Sequence, residues 1–316
     1  MLQQSPALAS PTTMWTVSCL AALVTAGTVL RGVWAARGST AFPATLWALS
    51  ACLVLALDTG LRASGMVSQP ASAASLRLVT AALSICPAMS LLGAKRPQHG
   101  VWQLIVASLV MILLLPVLAT TLARPGGVPD VHLLGRVFLV MLSLVGWMNF
   151  VTTSRGSAAT LVTCGQLVVL RGLLPLVDSE PAFPPTASVS ATLAASIDSI
   201  GCLLIAAGGL LTLLPTRGPN NPPSPGGFAA SVAPAFLGFR ETLGAAWTLR
   251  VMERFDAIAT SRNWPCRLRF GGIDPVDAPL DGPWQRDARR ALAALLRRFV
   301  SPEWLDRHEW RADRGG

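Results

Sequence analysis

Apolar stretches long enough to cross a lipid bilayer recur along the first two thirds of the chain and end near residue 215. A transmembrane helix needs about 20 mostly apolar residues, because the hydrocarbon core is about 30 Å thick. The pattern predicts an all-α fold: a polytopic seven-helix transmembrane bundle over residues 14–214, followed by a small helical domain. The predicted spans are Met14–Trp34, Ala41–Leu61, Leu76–Gly93, Val101–Leu122, Val131–Thr153, Ser157–Val177 and Ala187–Leu214.

Two of these spans contain a proline. The fourth is the most clearly apolar, since Ile105–Leu118 has no charged residue, and Pro116 predicts a bend in it because proline has no amide hydrogen to donate. The third span is the shortest and carries Pro87. A membrane helix tolerates proline where its neighbours satisfy the freed carbonyl, so we keep this span in the prediction.

The distribution of basic residues predicts the orientation of the spans. Residues 1–13 contain no Lys or Arg, whereas Arg31 and Arg37 follow the first apolar run, which predicts an uncleaved helix with an extracytoplasmic N-terminus. Lys and Arg concentrate in cytoplasmic loops. With the N-terminus outside, six basic residues fall on the inner side against three outside, so we expect a cytoplasmic C-terminus in the cell (inner) membrane and an odd number of spans. The inner set is Arg31, Arg37, Lys95, Arg96, Arg155 and Arg217; the outer set is Arg62, Arg77 and Arg124.

The last third of the chain has a different pattern. Residues 215–235 are rich in Pro and Gly and predict a linker, and residues 236–316 predict a cytoplasmic helical domain. Within it, apolar residues at three- and four-residue spacing predict amphipathic helices over Phe236–Ala259 and Gly282–Val300, with an extended stretch at Pro265–Ile273.

The second of these amphipathic helices is strongly basic. Its arginines could lie against the anionic inner leaflet of the membrane. Alternatively, its apolar stripe packs on the first amphipathic helix and the arginines are solvated. A nucleic-acid partner is not expected, because residues 216–316 carry eleven acidic residues beside fifteen arginines. The membrane-surface candidates are Arg286, Arg289, Arg290, Arg297 and Arg298.

Composition narrows the chemistry that the chain can carry. Charged residues make up only 13%, about half the usual share in soluble proteins. Only three histidines are present and none lies within a predicted span, which excludes helix-facing histidine pairs for haem. Five of the six cysteines fall inside predicted spans, where cysteine usually packs as a small apolar residue. We therefore predict no cofactor and no metal site.

Four ionisable residues inside the predicted spans are the main site candidates: Asp58, Arg136, Arg171 and Asp198. A charge within the bilayer costs about 2.5–3.5 kcal/mol on insertion scales, so it is a functional candidate by default. One hypothesis is a polar chamber open to the outside, with Asp198 paired to Arg171 across the hairpin of the last two spans. The alternative is structural: the arginines extend to the outer headgroups, and Asp198 sits in one salt bridge between helices.

Two segments carry a resemblance to other proteins. The segment from Cys86 to Trp102, with its basic turn Lys95-Arg96-Pro97, resembles a stretch of uncharacterised multi-pass bacterial membrane proteins, and the region from Trp247 to Pro265 is similar to theirs as well. No activity is assigned to that group, so the resemblance implies a membrane fold and no function.

These observations favour a non-enzymatic assembly or sensory component that acts through its basic cytoplasmic domain. Its expected partners are the lipid bilayer and a protein bound by the C-terminal domain. The alternative is a transporter of ions or small solutes that uses an outward-facing polar site around Asp198 and Arg171. A transporter predicts a water-accessible cavity converging on Asp198, and a scaffold predicts a closed apolar bundle.

Overall fold

The computed structural model describes residues 10–67, 69–95, 99–124, 126–173, 187–215, 228–275, 282–308 and 310. Over these residues the chain forms α-helices joined by short loops, one 3₁₀ turn at Arg171–Leu173, and one two-stranded hairpin. The helices are α1 (Pro11–Ala35), α2 (Phe42–Ala63), α3 (Pro70–Leu92), α4 (His99–Leu113), α5 (Leu115–Ala123), α6 (Leu133–Phe150), α7 (Gly156–Val169), α8 (Ala187–Leu211), α9 (Phe228–Leu243), α10 (Ala245–Ser261), α11 (Trp284–Leu296) and α12 (Pro302–Arg307); the strands are β1 (Cys266–Arg269) and β2 (Gly272–Pro275).

Five of the described helices are long and apolar enough to cross a membrane: α1, α2, α3, α6 and α8. The pair α4 and α5 makes a sixth if it is counted as one span. Large apolar side chains such as Leu20, Leu53 and Leu203 are exposed on the outer surface of these helices, as expected for surfaces that face lipid. The chain is therefore a mainly helical protein with the helices of a membrane-embedded bundle.

The fourth and sixth predicted spans differ from single straight helices. The fourth is bent by 41° between α4 and α5, where Pro116 lies in the first turn of α5, so the predicted bend is present. The sixth, predicted as Ser157–Val177, is helical only from Gly156 to Val169 and then turns into the 3₁₀ segment. Those 14 residues extend about 21 Å, which is shorter than the hydrocarbon core. Residues 174–177 lie outside the described residues.

Six helices form a closed ring. Neighbouring pairs follow the order α1–α2, α2–α3, α3–α6, α6–α7, α7–α8 and α8–α1, while α4 packs on α3 outside the ring. Helices α7 and α8 pack closely, since a Cβ added to Gly165 would lie 2.5 Å from the carbonyl oxygen of Gly201. On α8 the small residues Ala195, Ser199 and Cys202 are buried.

The C-terminal helices α9 to α12 surround one hydrophobic core with the β-hairpin at its side. The predicted helix Phe236–Ala259 is instead two helices, because Gly244 separates α9 from α10 with a φ of 81°, a conformation that favours glycine. Helix α9 also begins at Phe228, inside the predicted linker 215–235, and continues through Pro234. The extended stretch at Pro265–Ile273 is the antiparallel hairpin of β1 and β2, which adds a small β element to the predicted all-α fold.

These C-terminal helices are attached to the ring at one end. The Trp247 indole donates to the carbonyl of Leu91 at 2.7 Å, and the amide of Thr40 donates to the carbonyl of Phe299 at 2.8 Å. At the α6–α7 loop, the Ser154 hydroxyl donates to the Glu241 carboxylate at 2.7 Å. The α1–α2 loop, the end of α3 and the α6–α7 loop therefore face the same side of the bundle as α9 to α12. The distribution of basic residues (the charge bias) predicted that these three connections lie on one side of the membrane, the cytoplasmic side.

Candidate functional site

Five charged side chains from four segments meet between the helices and form what we call the Arg/Asp network. On α2, Arg62 Nε lies 2.7 Å from Asp58 Oδ1. From α3, Arg77 bridges the two carboxylates, with Nε 3.4 Å from Asp58 Oδ2 and Nη2 3.0 Å from Asp198 Oδ2 on α8. Arg171, in the 3₁₀ turn after α7, contacts the other oxygen of Asp198. The network thus ties α2, α3, α8 and the end of α7 together.

Both carboxylates of the network are removed from solvent. Asp58 is 0% exposed and Asp198 is 5% exposed. An ionised carboxylate tolerates such burial only where cations and hydrogen bonds compensate its lost hydration. Three arginines, which stay charged in proteins, face two aspartates, so the network carries one net positive charge. This charge is offset by backbone oxygens.

The arginines of the network also bind backbone carbonyl groups. Arg77 Nη1 donates to the Val169 carbonyl at 2.8 Å, and Arg171 Nη1 donates to the Val168 carbonyl at 3.3 Å. Arg171 Nη2 reaches the Ala194 carbonyl at 3.0 Å. The last carbonyls of a helix have no intrahelical partner, and the interior of a bilayer offers no water to replace it. The arginines therefore cap the C-terminal end of the short helix α7.

The network contains three of the four predicted site residues. Asp58, Arg171 and Asp198 belong to it, and the predicted pairing of Arg171 with Asp198 is present. Arg136 makes other contacts: its Nε donates to the Val131 carbonyl at 2.9 Å, and its guanidinium lies 4.0 Å from the exposed Asp130. The outward-facing chamber stays a prediction, because residues 174–186, which follow Arg171 and would border it, are outside the described part of the chain.

Arg77 is the central residue that the sequence prediction did not include. The third span was predicted to begin at Leu76, which placed Arg77 at its edge. Helix α3 begins at Pro70, six residues earlier, so Arg77 lies about 10 Å along the helix. The spacing of Asp58 and Arg62, four residues apart on one helix, is the signal in the sequence that points to a charged pair here.

The ring of helices encloses a cavity of about 1140 Å³. Ligand pockets in proteins commonly measure about 300–1,000 Å³. The wall is mostly apolar, with a few hydroxyl and amide groups, including Gln166, which donates to Ser84 at 2.9 Å. Residues from all six helices of the ring contribute to it, among them Thr28 (α1), Cys52 (α2), Ile85 (α3), Leu142 (α6), Val162 (α7) and Ile205 (α8).

The Arg/Asp network closes one end of this cavity. Thr80 and Val169 line that end. Thr80 lies one helical turn beyond Arg77, and the Val169 carbonyl accepts from the Arg77 guanidinium. The carboxylates themselves are not part of the wall, so among the described residues the network lies beyond the cavity, towards the side that the charge bias assigns to the outside.

The opposite end of the cavity is bordered by the C-terminal helices. Pro234, Leu237 and Gly238 of α9 line it together with charged and titratable residues of α9, of the α6–α7 loop and of the end of α12. Arg240 pairs with Glu241 at 2.7 Å and donates to the Phe270 carbonyl at 2.7 Å. We call this end the cavity mouth; its charged and titratable residues are Arg155, Arg240, Glu241, Arg307 and His308.

His308 is held at the mouth by α12. Its ring stacks on Trp304 with a centroid distance of 3.7 Å, and Nδ1 lies 2.8 Å from the Trp304 carbonyl. Burial lowers the pKa of His308 below its usual value; the hydrogen bond to the Trp304 carbonyl opposes this and the nearby Arg307 adds to it. The imidazole is therefore neutral at physiological pH.

The predicted membrane-surface arginines lie on α11 and just after it. The apolar stripe of α11, including Ala288 and Leu292, is buried in the C-terminal core, so the packing alternative is present. Arg289 is partly buried and donates to the Ser231 hydroxyl at 2.9 Å. The other four arginines (Arg286, Arg290, Arg297 and Arg298) are exposed.

Comparison with known proteins assigns no relative to the chain. No protein-family model, no curated protein and no solved structure matches it. Function is therefore inferred from the cavity, the Arg/Asp network and the C-terminal helices.

Proposed function

We propose that this protein is a sensory component of a cell membrane, in which a ligand in the central cavity is detected by the C-terminal helices. The observation that carries the proposal is the composition of the cavity wall, which combines six membrane helices with residues of α9 and the end of α12. A ligand there contacts both parts of the molecule. The proposal includes seven spans, with α7 and the residues after it as the sixth, an external N-terminus and a cytoplasmic C-terminal domain.

The attachment of the C-terminal helices supports a mechanical link to the bundle. Asn149 of α6 donates to the carbonyl of Leu243 at 3.1 Å and accepts from the amide of Ala246 at 3.0 Å, so α6 holds the junction of α9 and α10. A ligand shifts a conformational equilibrium only as far as it binds one state better than the other. Because the junction adjoins the cavity, a change in the spacing of the ring helices reaches α9 directly. In this proposal, a protein partner on the cytoplasmic side binds the C-terminal helices and responds to the movement of α9.

Filling the cavity with a side chain tests the proposed link. Ala48 lines the cavity on α2, whereas Leu53 of the same helix is exposed on the lipid side. Ala48→Phe should occupy part of the cavity and change amide hydrogen exchange in α9 and α12. Leu53→Phe should leave that exchange as in the original protein. Unchanged exchange in Ala48→Phe, in a folded protein, would contradict the sensory proposal.

A transporter is the second candidate, and the closed end of the cavity favours it. In this alternative the Arg/Asp network is an outer gate, and the structure corresponds to the state open to the cytoplasmic side. Asp198→Asn should then make Cys52, in the cavity wall, reactive to impermeant thiol reagents added from the outer side. If Asp198→Asn leaves Cys52 protected from that side, the gate hypothesis fails.

A further inference from the structure

Polarity changes along the cavity from its closed end to its mouth. The wall within the ring is formed by small and medium apolar side chains such as Ala51, Leu55, Ile85 and Val162. The mouth, by contrast, carries Arg155, Arg240, Arg307 and one acidic residue, Glu241. With His308 neutral, the described residues of the mouth carry three positive charges and one negative charge, a net charge of plus two. An apolar chamber with a cationic mouth fits a molecule with an apolar tail and an anionic head.

The length of the cavity fits one acyl chain. On α2 the wall extends from Ala41 at the mouth to Leu55, fourteen residues further along, which corresponds to about 21 Å of helix. One acyl chain spans one leaflet, roughly half of the 30 Å hydrocarbon core. A chain of that length entering from the mouth therefore fits within the apolar wall, with its headgroup still among the arginines.

Arginine at the mouth favours a phosphate headgroup. A guanidinium group binds phosphate with paired, charge-assisted hydrogen bonds. The side chain of Arg155 is exposed beside the cavity and Glu241 already pairs with Arg240, so the acidic residue does not neutralise the other two arginines. Arg307 Nη2 contacts the Arg37 carbonyl, which holds its guanidinium at the α1–α2 loop.

We propose that the cavity binds a lipid with a single acyl chain and an anionic phosphate headgroup, with the chain inside the helix ring and the phosphate at Arg155 and Arg307. This inference rests on the proposed function, because it names the class of ligand that the sensory cavity takes. Glycerol phosphate without a chain has the same headgroup chemistry. The length of the apolar wall favours the lipid over the free anion.

Protection of Cys52 tests the inference in phosphatidylcholine vesicles. In a variant that keeps Cys52 as its only cysteine, palmitoyl lysophosphatidylglycerol should slow modification by a water-soluble methanethiosulfonate. Palmitoyl lysophosphatidylcholine should protect at about tenfold higher concentration, because it has the same phosphate but also a quaternary ammonium group that the arginines at the mouth repel. Glycerol 3-phosphate should not protect. Equal protection by the two lysolipids, or protection by glycerol 3-phosphate, would overturn the inference.

Variants at the mouth separate specific binding from general insertion of lipid. Arg155→Gln and Arg307→Gln should each raise the concentration of palmitoyl lysophosphatidylglycerol needed for protection by about tenfold. Arg290→Gln removes the same charge from an exposed position on α11 and should change nothing. If both mouth variants behave like Arg290→Gln, the phosphate site is wrong.

The two proposals fail in different ways. If no lysolipid protects Cys52 but Ala48→Phe still changes exchange in α9 and α12, the ligand class is wrong and the sensory proposal stands. If Cys52 is unreactive without any lipid, the cavity is not open to water, and both proposals are wrong.

Discussion

Asp58 and Asp198 are buried carboxylates in a helix bundle, and the arginines around them explain how they are tolerated. Asp58 accepts from Arg62 four residues later, and Arg77 joins both carboxylates. Arg77 and Arg171 also bind backbone carbonyls at the end of α7. Each charge in the network therefore compensates another charge or a polar group that would otherwise be unpaired in an apolar environment.

Removing the charge of Asp198 should destabilise the bundle. Asp198→Asn leaves Arg77 and Arg171 without their shared carboxylate, and breaking a buried ion pair costs about 3–5 kcal/mol. Thermal unfolding in detergent or nanodiscs should show a clearly lower midpoint. Asp130→Asn is the matched control, because Asp130 has an exposed side chain 4.0 Å from Arg136. Equal midpoints for the two variants would show that the network does not stabilise the fold.

His308 should make stability depend on pH. Burial lowers the pKa of His308 in the folded protein, so below about pH 6.5 the unfolded chain binds more protons than the folded one. The stability contributed by the neutral imidazole is present above that pH and is lost as the pH falls towards the folded pKa. When unfolding is measured at about pH 7.5 and about pH 5.5, His308→Gln should lose less stability on acidification than the original protein. His132→Gln, at an exposed position, should lose as much stability on acidification as the original protein. An identical pH response of the two variants would argue against this role of His308.

The residues of the network show what spacing predicts and what it misses. Asp58 and Arg62 share a helical face by their four-residue separation, and Arg171 and Asp198 belong to consecutive spans, so both contacts are predictable. Arg77 joins them only because α3 begins at Pro70, before its apolar run. Helix ends made of weakly apolar residues such as Ala and Ser are not resolved by hydrophobicity alone.

At the scale of elements, helix α7 depends on close packing more than on length. It is shorter than the bilayer core and has glycine where it meets α8. Its C-terminal carbonyls are bound by arginines and its face lies against the backbone of α8. Both features compensate for a helix that cannot cross the bilayer alone.

Adding a methyl group at Gly165 should disturb this contact. A Cβ there would meet the Gly201 carbonyl oxygen at 2.5 Å, so the helices must move apart, and overpacking of this kind costs about 1–3 kcal/mol. Gly27→Ala on α1 is the control, since a Cβ at Gly27 has no described atom within 4 Å. In thermal unfolding, the midpoint temperature of Gly165→Ala should lie below that of Gly27→Ala. The reverse order would mean that α7 and α8 are not closely packed.

Prolines and glycines account for the breaks between elements only in part. The bend at Pro116 follows from the missing amide hydrogen and was predicted. The break at Gly244 was not, because the apolar spacing continues across it from Phe239 to Trp247 and hides the change of direction. Pro87 and Pro234 lie inside continuous helices, so proline alone does not mark a helix end.

At the scale of the whole molecule, the ring of six helices and the cavity inside it are the features that the sequence did not predict. Periodicity identifies apolar segments, but it does not say which segments become neighbours. The closure of α8 on α1 joins the two ends of the bundle. The position of α9 and α12 at the mouth depends on hydrogen bonds to three loops that are distant in sequence. The predicted topology places the same three connections on one side of the membrane.

The proposed sensory mechanism requires a water-accessible cavity that opens on the side of the C-terminal helices. Cys52 tests this directly, because it lines the cavity about 15 Å along α2 from Phe42. In sealed vesicles of known orientation, a variant with Cys52 as its only cysteine should react with an impermeant methanethiosulfonate added on the side of the C-terminus, and not with reagent added on the other side. Reaction from the opposite side alone, or from neither side, would contradict the account.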